Sequence, residues 1–336
     1  MKSLHMTRRE WFVRGTGGAV ASLAFGGELL GLAAPGSDDA KTKPGGFRLG
    51  VCDWTIGKRC DPAALALAKQ LGLDGVQVDL GPPAEVLQLQ DPELQKKYRD
   101  AVKTTGVEVA SLAIASLNEA PYKSDPRAER WVADSIDVCK ALGTRVVLLA
   151  FFGKGDLRND AEGVDAVVQK LKQIAPKAEK SQVILGVESQ LSARQHMEIL
   201  DRVGSPAVQV YYDVGNSHHE GYDIYQEIRF LGQHICEFHA KDYDDLYGKG
   251  SINFPEVRRA MDDIGYRGWM QIEGVKFPLG LEESIRYDAH FCGGSSHPRH
   301  DAGLDFLCYG LRLAALCSPH AVPHVVRGFL LLHVPT

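Results

Sequence analysis

The 336-residue sequence lacks the features that mark several large classes of protein. It has no excess of basic residues, and its formal net charge of −5 argues against nucleic acid as a partner, because phosphate binding requires a basic surface. Its seven cysteines include no Cys-x-x-Cys pair. Neither a zinc knuckle nor a disulfide framework is therefore indicated, and buried free thiols are expected. The remaining composition, 44% apolar and 24% charged, is typical of a soluble globular protein.

A long apolar run suited to a membrane span is also missing, and the closest approach to one lies near the N-terminus. Arg8 and Arg9 precede the Gly/Ala-rich run Gly15–Ala34, which is too short and too rich in glycine to span a bilayer. The arrangement resembles a twin-arginine export signal. We therefore predict a signal peptide over residues 1–34, a polar linker over 35–46, a periplasmic location and no stable membrane span after signal removal. A disordered N-terminus or an uncleaved anchor is the alternative.

Short β-rich runs alternate with amphipathic helical stretches from Phe47 onward. The runs are largely apolar, as strands of a parallel sheet covered by helices must be. Eight such units in about 240 residues match the size of a TIM barrel. The predicted strands are Arg48–Trp54, Gly75–Leu80, Glu108–Ile114, Arg145–Phe151, Val183–Ser189, Val208–Val214, Ile235–Lys241 and Trp269–Val275. The sequence thus predicts an α/β protein, a single (β/α)8 TIM barrel over residues 47–289. A doubly wound open sheet is the alternative, although no Gly-x-Gly-x-x-Gly follows the first strand.

Ionisable side chains stand at the carboxyl ends of the last four predicted strands, where a TIM barrel places its active site. They are Glu188, Asp213, His239 and Glu273, about one βα repeat apart. Two like charges about 4 Å apart repel by roughly 4 kcal/mol at an effective dielectric constant near 20, so three converging carboxylates need a cation. We predict one divalent metal ion, Mn²⁺ before Mg²⁺, Co²⁺ or Zn²⁺, because the ligands are rich in oxygen. Salt bridges or capped loops are the alternative for each residue.

Strand alternation predicts a second layer of polar side chains below these ligands. Buried polar groups require partners, so this layer is expected to hold the ligands in place, with packing among themselves as the alternative. The layer comprises Gln209 and Tyr211 below Asp213, Glu237 below His239 and Gln271 below Glu273.

Two further side chains are placed to contact a substrate. Lys241, two residues after His239, points at the barrel mouth and is predicted to bind a substrate oxygen; pairing with Asp242 is the alternative. Trp54, at the end of the first predicted strand, is predicted to stack on a face of the substrate, and a core position is the alternative.

Four segments in this order resemble the sugar phosphate isomerase/epimerase family, the xylose isomerase-like TIM barrels, over about residues 47–287. They are Gly186-Val187-Glu188, Tyr212-Asp213-Val214-Gly215-Asn216, Phe238-His239-Ala240-Lys241-Asp242 and Ile272-Glu273-Gly274. The resemblance implies that Glu188, Asp213, His239 and Glu273 bind one divalent metal. It also implies that Glu188 and Glu273 are the catalytic acid/base pair.

The chain departs from the ketose 3-epimerases of that group at two positions. Asn216 stands where those enzymes tend to carry a histidine, and Asp245 where they carry a substrate arginine. Asn216 and His218 are therefore predicted to contact substrate, with His218 or His219 in place of the missing histidine. An exposed loop pair is the alternative for the two histidines.

The sequence changes character in its last 47 residues, 290–336. They hold six of the twelve histidines and three of the seven cysteines, but neither lysine nor glutamate. We interpret this tail as atypical, either the product of a shifted reading frame or an unrelated extension. Its histidines and cysteines match no familiar zinc-site spacing.

The leading functional prediction is a metal-dependent sugar isomerase or epimerase that transfers a proton α to a carbonyl through an enediolate. The alternatives are a dehydratase or lyase acting on a 3-keto sugar or glycoside, and a non-catalytic carbohydrate-binding barrel. Export favours a free sugar or glycoside over a sugar phosphate. The expected partner is a small carbohydrate, and a homo-oligomer is compatible with the sequence.

Overall fold

The computed structural model of the protein describes residues 46–274 and 276–292. The predicted signal peptide, the linker up to residue 45 and the tail from residue 293 lie outside the described residues. The described chain alternates strands and helices. They are β1 Arg48–Cys52, α1 Ala63–Gln70, β2 Gly75–Asp79, α2 Pro92–Thr105, β3 Glu108–Ile114, α3 Pro126–Leu142, β4 Val146–Phe151, α4 Ala161–Ser181, β5 Ile184–Ser189, α5 Ala193–Val203, β6 Val208–Asp213, α6 Val214–His219, α7 Ile224–Leu231, β7 Ile235–Ala240, α8 Phe254–Asp263, β8 Trp269–Ile272 and α9 Leu281–Phe291.

The eight strands form a closed parallel barrel in sequence order. Each strand pairs with the next, and β8 closes the ring against β1 with Arg48 opposite Trp269. Parallel neighbours require a crossover connection, and the intervening helices supply it. The prediction of a single (β/α)8 TIM barrel is confirmed over the open-sheet alternative.

Local sequence signals explain where the helices begin and end. The side chain of Asp91 accepts a hydrogen bond from the Glu93 amide at the start of α2, and Pro92 occupies the first turn. The helix ends at Gly106, whose φ of 74° lies in the left-handed region that glycine adopts without strain. Within residues 46–274 and 276–292, no helix is both long and apolar enough to cross a membrane.

Among the residues that the structure describes, the apolar core forms two clusters of unequal size. The larger cluster fills the layer between the outward faces of the strands and the helices. The smaller one lies inside the barrel and includes Ala113, Leu148 and Ala150 from β3 and β4. Polar side chains fill another part of the interior, among them Gln77, Ser111, Glu237 and Gln271. Gly50 makes this possible, since a Cβ there would lie 2.1 Å from Gln271 Oε1.

Strand β8 is shorter than predicted. It ends at Ile272, opposite Val51, because the neighbouring strand β1 turns away after Cys52 and offers no further ladder partners. Glu273 therefore lies directly after the strand, where its amide donates to the Ala240 carbonyl at 2.8 Å. Val275, the predicted last residue of the strand, lies outside the described residues.

Candidate metal centre and active site

The four predicted ligands come together at the carboxyl ends of β5 to β8. One ligand atom from each of Glu188, Asp213, His239 and Glu273 lies within 4.8 Å of all the others. Asp213 stands opposite His239 in the β6–β7 ladder, so the two occupy the same level of the barrel. Glu188, Asp213 and His239 are buried, whereas Glu273 is partly exposed.

The ring nitrogen Nδ1 of His239 faces all three carboxylates. It lies 2.9 Å from Glu188 Oε1, 3.4 Å from Glu273 Oε2 and 3.8 Å from Asp213 Oδ2. Three carboxylate oxygens and one imidazole nitrogen in a buried cluster suit a hard or borderline divalent cation. The residues present therefore fit a metal ion, and the cluster is able to hold one.

Lys241 carries a positive charge into the same cluster. Its Nζ lies 2.8 Å from Asp213 Oδ2 and 2.5 Å from Glu273 Oε2, and the side chain is buried. Gly215 makes room for it, because a Cβ at that position would lie 2.3 Å from Lys241 Cγ. Lys241 also lines the cavity described below, but its ion pairs are with the two ligands rather than with Asp242.

The carboxyl groups of the cluster differ in acidity. Burial raises the pKa of Glu188 to about 7, although the charge and hydrogen bond of His239 oppose the shift. Burial also acts to raise the pKa of Asp213, but the Lys241 ammonium and His239 outweigh it and hold that pKa below its usual range. Glu188 is thus able to take up and release a proton near neutral pH, while Asp213 stays ionised.

A cavity of about 580 Å³ opens above the cluster. Trp54 is half-buried at its wall, and its Nε1 donates to Glu273 Oε1 at 3.0 Å. The cavity combines aromatic, amide and charged side chains, as small-molecule sites commonly do. The lining residues are Trp54, Arg59, Ala113, Ala115, Asn118, Leu148, Ala150, Phe152, Gly153, Glu188, Gln190, Asn216, Lys241, Tyr243 and Glu273.

The two predicted substrate contacts that follow Asp213 are placed differently. Asn216 lines the cavity, and its Oδ1 accepts from the Tyr243 hydroxyl at 2.5 Å. His218 is not among the lining residues; it lies in α6, and its Nε2 is 3.2 Å from Ser251 Oγ. Because its ring faces Ser251 and it does not line the cavity, the position of His218 does not support a direct substrate contact.

Three of the four predicted second-layer residues form one buried group. Glu237 Oε1 accepts from the hydroxyl of Tyr211 at 3.0 Å and from Gln271 Nε2 at 2.6 Å. Gln209 does not join it, because its Nε2 donates to the Pro206 carbonyl at 3.2 Å. Gln209 stands four residues before Asp213, which places it about 13 Å lower along the strand at roughly 3.3 Å per residue. Its predicted role in holding the ligands is therefore not supported.

Sequence reasoning missed residues from the first three strands and their loops. Gln77 on β2 lies with its Oε1 2.6 Å from His239 Nε2, and Ser111 on β3 donates to Glu237 at 2.7 Å. Arg59 lines the cavity with its Nε bonded to buried Asp79 at 2.9 Å. The positions of Gln77 and Ser111 between apolar residues in the middle of their strands were the available signal. Arg59 gave none, because it lies in a loop.

Residues 65–291, about two thirds of the chain, match the family described as the xylose isomerase-like TIM barrel. The chain belongs to this family. The resemblance found in the sequence is confirmed, and the match includes all four residues of the carboxylate–histidine cluster.

The chain is also similar to several named proteins. It is 27% identical over 177 residues to the 2-epi-5-epi-valiolone 7-phosphate 2-epimerase of Actinoplanes sp., a match that covers 52% of this chain and 65%, just under two thirds, of that one. It is 26% identical over 227 residues to the L-ribulose-5-phosphate 3-epimerase UlaE of Salmonella heidelberg, covering 62% and 80%. The crystal structure of 3-keto-D-glucoside 4-epimerase YcjR from E. coli superimposes with a TM-score of 0.63 at 13% identity, covering 74% of this chain and 100% of that one, and shows a shared fold.

Proposed function

We propose that the protein is a metal-dependent sugar epimerase or isomerase that moves a proton at the carbon α to a carbonyl. The observation that carries the proposal is the position of Glu188 and Glu273, which both line the cavity and both belong to the four-residue cluster. The family and the sugar phosphate epimerases among the relatives support a carbohydrate substrate.

Glu188, Asp213, His239 and Glu273 would hold the divalent ion. The ligand set predicts Mn²⁺. When bound, such an ion polarises a substrate carbonyl. The protein groups then have separate tasks. Lys241, fixed between Asp213 and Glu273, presents a positive charge at the cavity floor that stabilises negative charge on a substrate oxygen.

The two glutamates have different surroundings, which suits them to different steps. Glu273 is held at both oxygens, by Trp54 and by Lys241. Among the described residues, the hydrogen bonds of Glu188 are confined to Oε1, which leaves Oε2 available to take up a substrate proton. We assign proton abstraction to Glu188, which leaves the enediolate. Glu273 then takes a proton from the adjacent Lys241 ammonium, 2.5 Å from its Oε2, and delivers it to the substrate, and the proton on Glu188 returns to Lys241 through solvent.

The test is deuterium exchange. Metal-loaded protein is incubated in D₂O with a panel of ketoses and 3-keto glycosides and followed by NMR. The wild type is expected to incorporate deuterium at the α carbon and to form the epimer or isomer. Glu188→Gln and Glu273→Gln keep the side-chain shape but lose basicity, so turnover should fall by roughly 10² to 10⁴.

The two variants should also differ from each other. Glu273→Gln retains the abstracting residue and is expected to exchange deuterium without forming product, whereas Glu188→Gln should do neither. Glu198→Gln, an exposed position on α5, is the matched control and should behave like the wild type. Release of a leaving group instead of epimer formation would replace this proposal with a lyase. Metal-loaded glutamine variants that turn over at the wild-type rate would contradict both.

A further inference from the structure

His239 has two ring nitrogens in different surroundings, and the difference bears on metal binding. Nδ1 faces the carboxylates of the cluster, with Glu188 Oε1 at 2.9 Å. Nε2 faces Gln77 Oε1 at 2.6 Å, on the side toward the barrel interior. A nitrogen that binds a metal must have a free lone pair, so the neutral ring has to carry its hydrogen on the other nitrogen.

A chain of buried hydrogen bonds determines which nitrogen that is. Glu237 Oε1 receives donors from Ser111 Oγ at 2.7 Å and Gln271 Nε2 at 2.6 Å, so it acts as an acceptor. The single hydrogen of the Tyr211 hydroxyl, 3.0 Å away, therefore points at Glu237. The Tyr211 oxygen can then only accept, and Gln77 Nε2 donates to it at 2.9 Å.

The donor and acceptor roles along this series of hydrogen bonds also determine the bond to His239. With its amide nitrogen turned to Tyr211, Gln77 presents its carbonyl oxygen to His239 Nε2. The same oxygen also receives the Cys52 thiol at 3.3 Å. An acceptor at this position keeps the hydrogen on Nε2. The proton on Nδ1, which faces Glu188 at 2.9 Å, is then the one that a metal ion displaces. The side chains that form these hydrogen bonds are buried, so bulk water is not an alternative partner.

We propose that Glu237, Tyr211 and Gln77 are positioning residues that hold His239 in the one tautomer able to bind the metal through Nδ1. The inference rests on the proposed metal-dependent function, because it assigns the orientation of a ligand in that site. Partners of this kind typically change metal affinity 10- to 100-fold when they are lost. Gln77 on β2 contacts His239 on β7, and the closure of the barrel brings these two side chains together.

The experiment reverses the direction of these hydrogen bonds and then restores it. Glu237→Met removes the acceptor at similar length, leaving Gln77 Oε1 as the remaining acceptor for the Tyr211 hydroxyl. The amide should then turn its nitrogen to His239. The dissociation constant for Mn²⁺, measured by competition with a chelator, is expected to rise 10- to 100-fold. Gln77→Glu in the same background accepts from both Tyr211 and His239 and should recover most of that loss.

The controls separate this effect from general damage. Gln77→Glu alone keeps an acceptor facing His239 Nε2, so the dissociation constant should not rise, in contrast to Glu237→Met. Ser111→Ala removes another bond to Glu237 without reversing the chain and should keep the dissociation constant within about threefold. All variants are compared for folding by circular dichroism and thermal unfolding.

Each result has a definite meaning. Unchanged Mn²⁺ affinity in Glu237→Met, or no recovery in the folded double variant, overturns the positioning role while the metal site stands. A wild type that binds no Mn²⁺ overturns the proposed metal-dependent function and this inference with it. Should Glu237→Met fail to fold, long-range ¹H–¹⁵N NMR of the Zn²⁺-loaded wild type decides the matter. Coordination through Nδ1 is expected, and coordination through Nε2 overturns the inference.

Discussion

Lys241 shows how much a single side chain contributes to this site. It is buried between Asp213 and Glu273 and supplies a positive charge to a cluster that otherwise contains three carboxylates and one imidazole. Removing one partner of a buried ion pair leaves the other charge without compensation, which typically costs about 3–5 kcal/mol. Loss of the lysine alone should therefore destabilise the metal-free protein.

Lys241→Met is expected to lower the free energy of unfolding of the metal-free protein by about 3 kcal/mol. With saturating Mn²⁺ the deficit should shrink, because the divalent ion compensates the same carboxylates. Urea denaturation in EDTA and in excess Mn²⁺ measures both values. Lys249→Met, at an exposed position, is the control and should have little effect in either buffer. An equal loss with and without metal would show that Lys241 acts only through packing.

The helix and the loop that follow strands β6 and β7 position side chains at the site. The short helix α6 begins directly after Asp213, whose Oδ1 accepts from the Asn216 amide at 2.9 Å, so one oxygen caps the helix while the other faces the cluster. After β7, the loop leading to α8 is tied to α9 by the Tyr247 amide, which donates to Asp288 Oδ1 at 2.9 Å. Helix α9 thus supports the loop beside the cavity.

Asp288 should make this contact dependent on pH. Burial raises its pKa to about 7, and the charges of Asp242 and Asp245 add to the shift, while the Tyr247 amide opposes it. The folded state therefore holds a proton that the unfolded state has lost above about pH 4. Its contribution to stability is present at low pH and disappears as the pH rises through 7.

We expect Asp288→Asn to remove this dependence, because the amide oxygen still accepts from Tyr247 but carries no charge. Between pH 5 and pH 8 the wild type should lose about 3 kcal/mol more unfolding free energy than the variant. Denaturation at both pH values gives the difference. The raised pKa values of Glu188 and Glu237 are common to both proteins and cancel in the comparison. Parallel pH profiles for the two proteins would contradict the assignment.

At the scale of the whole molecule, metal binding should couple to stability, because its ligands come from four different strand ends. A ligand at 100 times its dissociation constant adds about 2.7 kcal/mol to the unfolding free energy. Removal of Mn²⁺ by EDTA should therefore lower the melting temperature by about 5–10 °C, at roughly 2–4 °C per kcal/mol for a domain of this size.

His239→Ala is expected to abolish that difference and to lower the metal content, measured by elemental analysis. His219→Ala, an exposed histidine on α6, is the matched control and should retain both. Full metal content in His239→Ala would exclude the cluster as the binding site.

Export concerns a part of the chain outside the described residues, so it stays a prediction from the sequence. Replacing Arg8 and Arg9 with lysine should remove the protein from the periplasmic fraction of a host with a twin-arginine pathway, because that pathway reads the arginine pair. Immunoblotting of cell fractions measures the result. Unchanged localisation would show that residues 1–34 have another role.

The sequence by itself determined the alternation of strands and helices, and with it the barrel. The spacing of apolar residues depends only on local chain geometry, and the glycines and prolines at helix ends act within a few residues. It also determined the cluster of Glu188, Asp213, His239 and Glu273, since the strand ends of a parallel barrel meet at one face. Each of these inferences needs the position of a residue along its own strand and nothing about its neighbours.

Only the tertiary structure decided which partners those residues have. The bond between Gln77 and His239 joins residues 162 positions apart, and the ion pairs of Lys241 depend on Gly215 leaving space beside it. Gln209 faces the interior as strand alternation predicts, yet it bonds to Pro206 because it lies too low in the barrel to reach the ligands. The pattern along a strand specifies which side of the sheet a side chain occupies. The depth, stagger and free volume that bring two side chains within 3 Å arise only when all eight strands close into one ring.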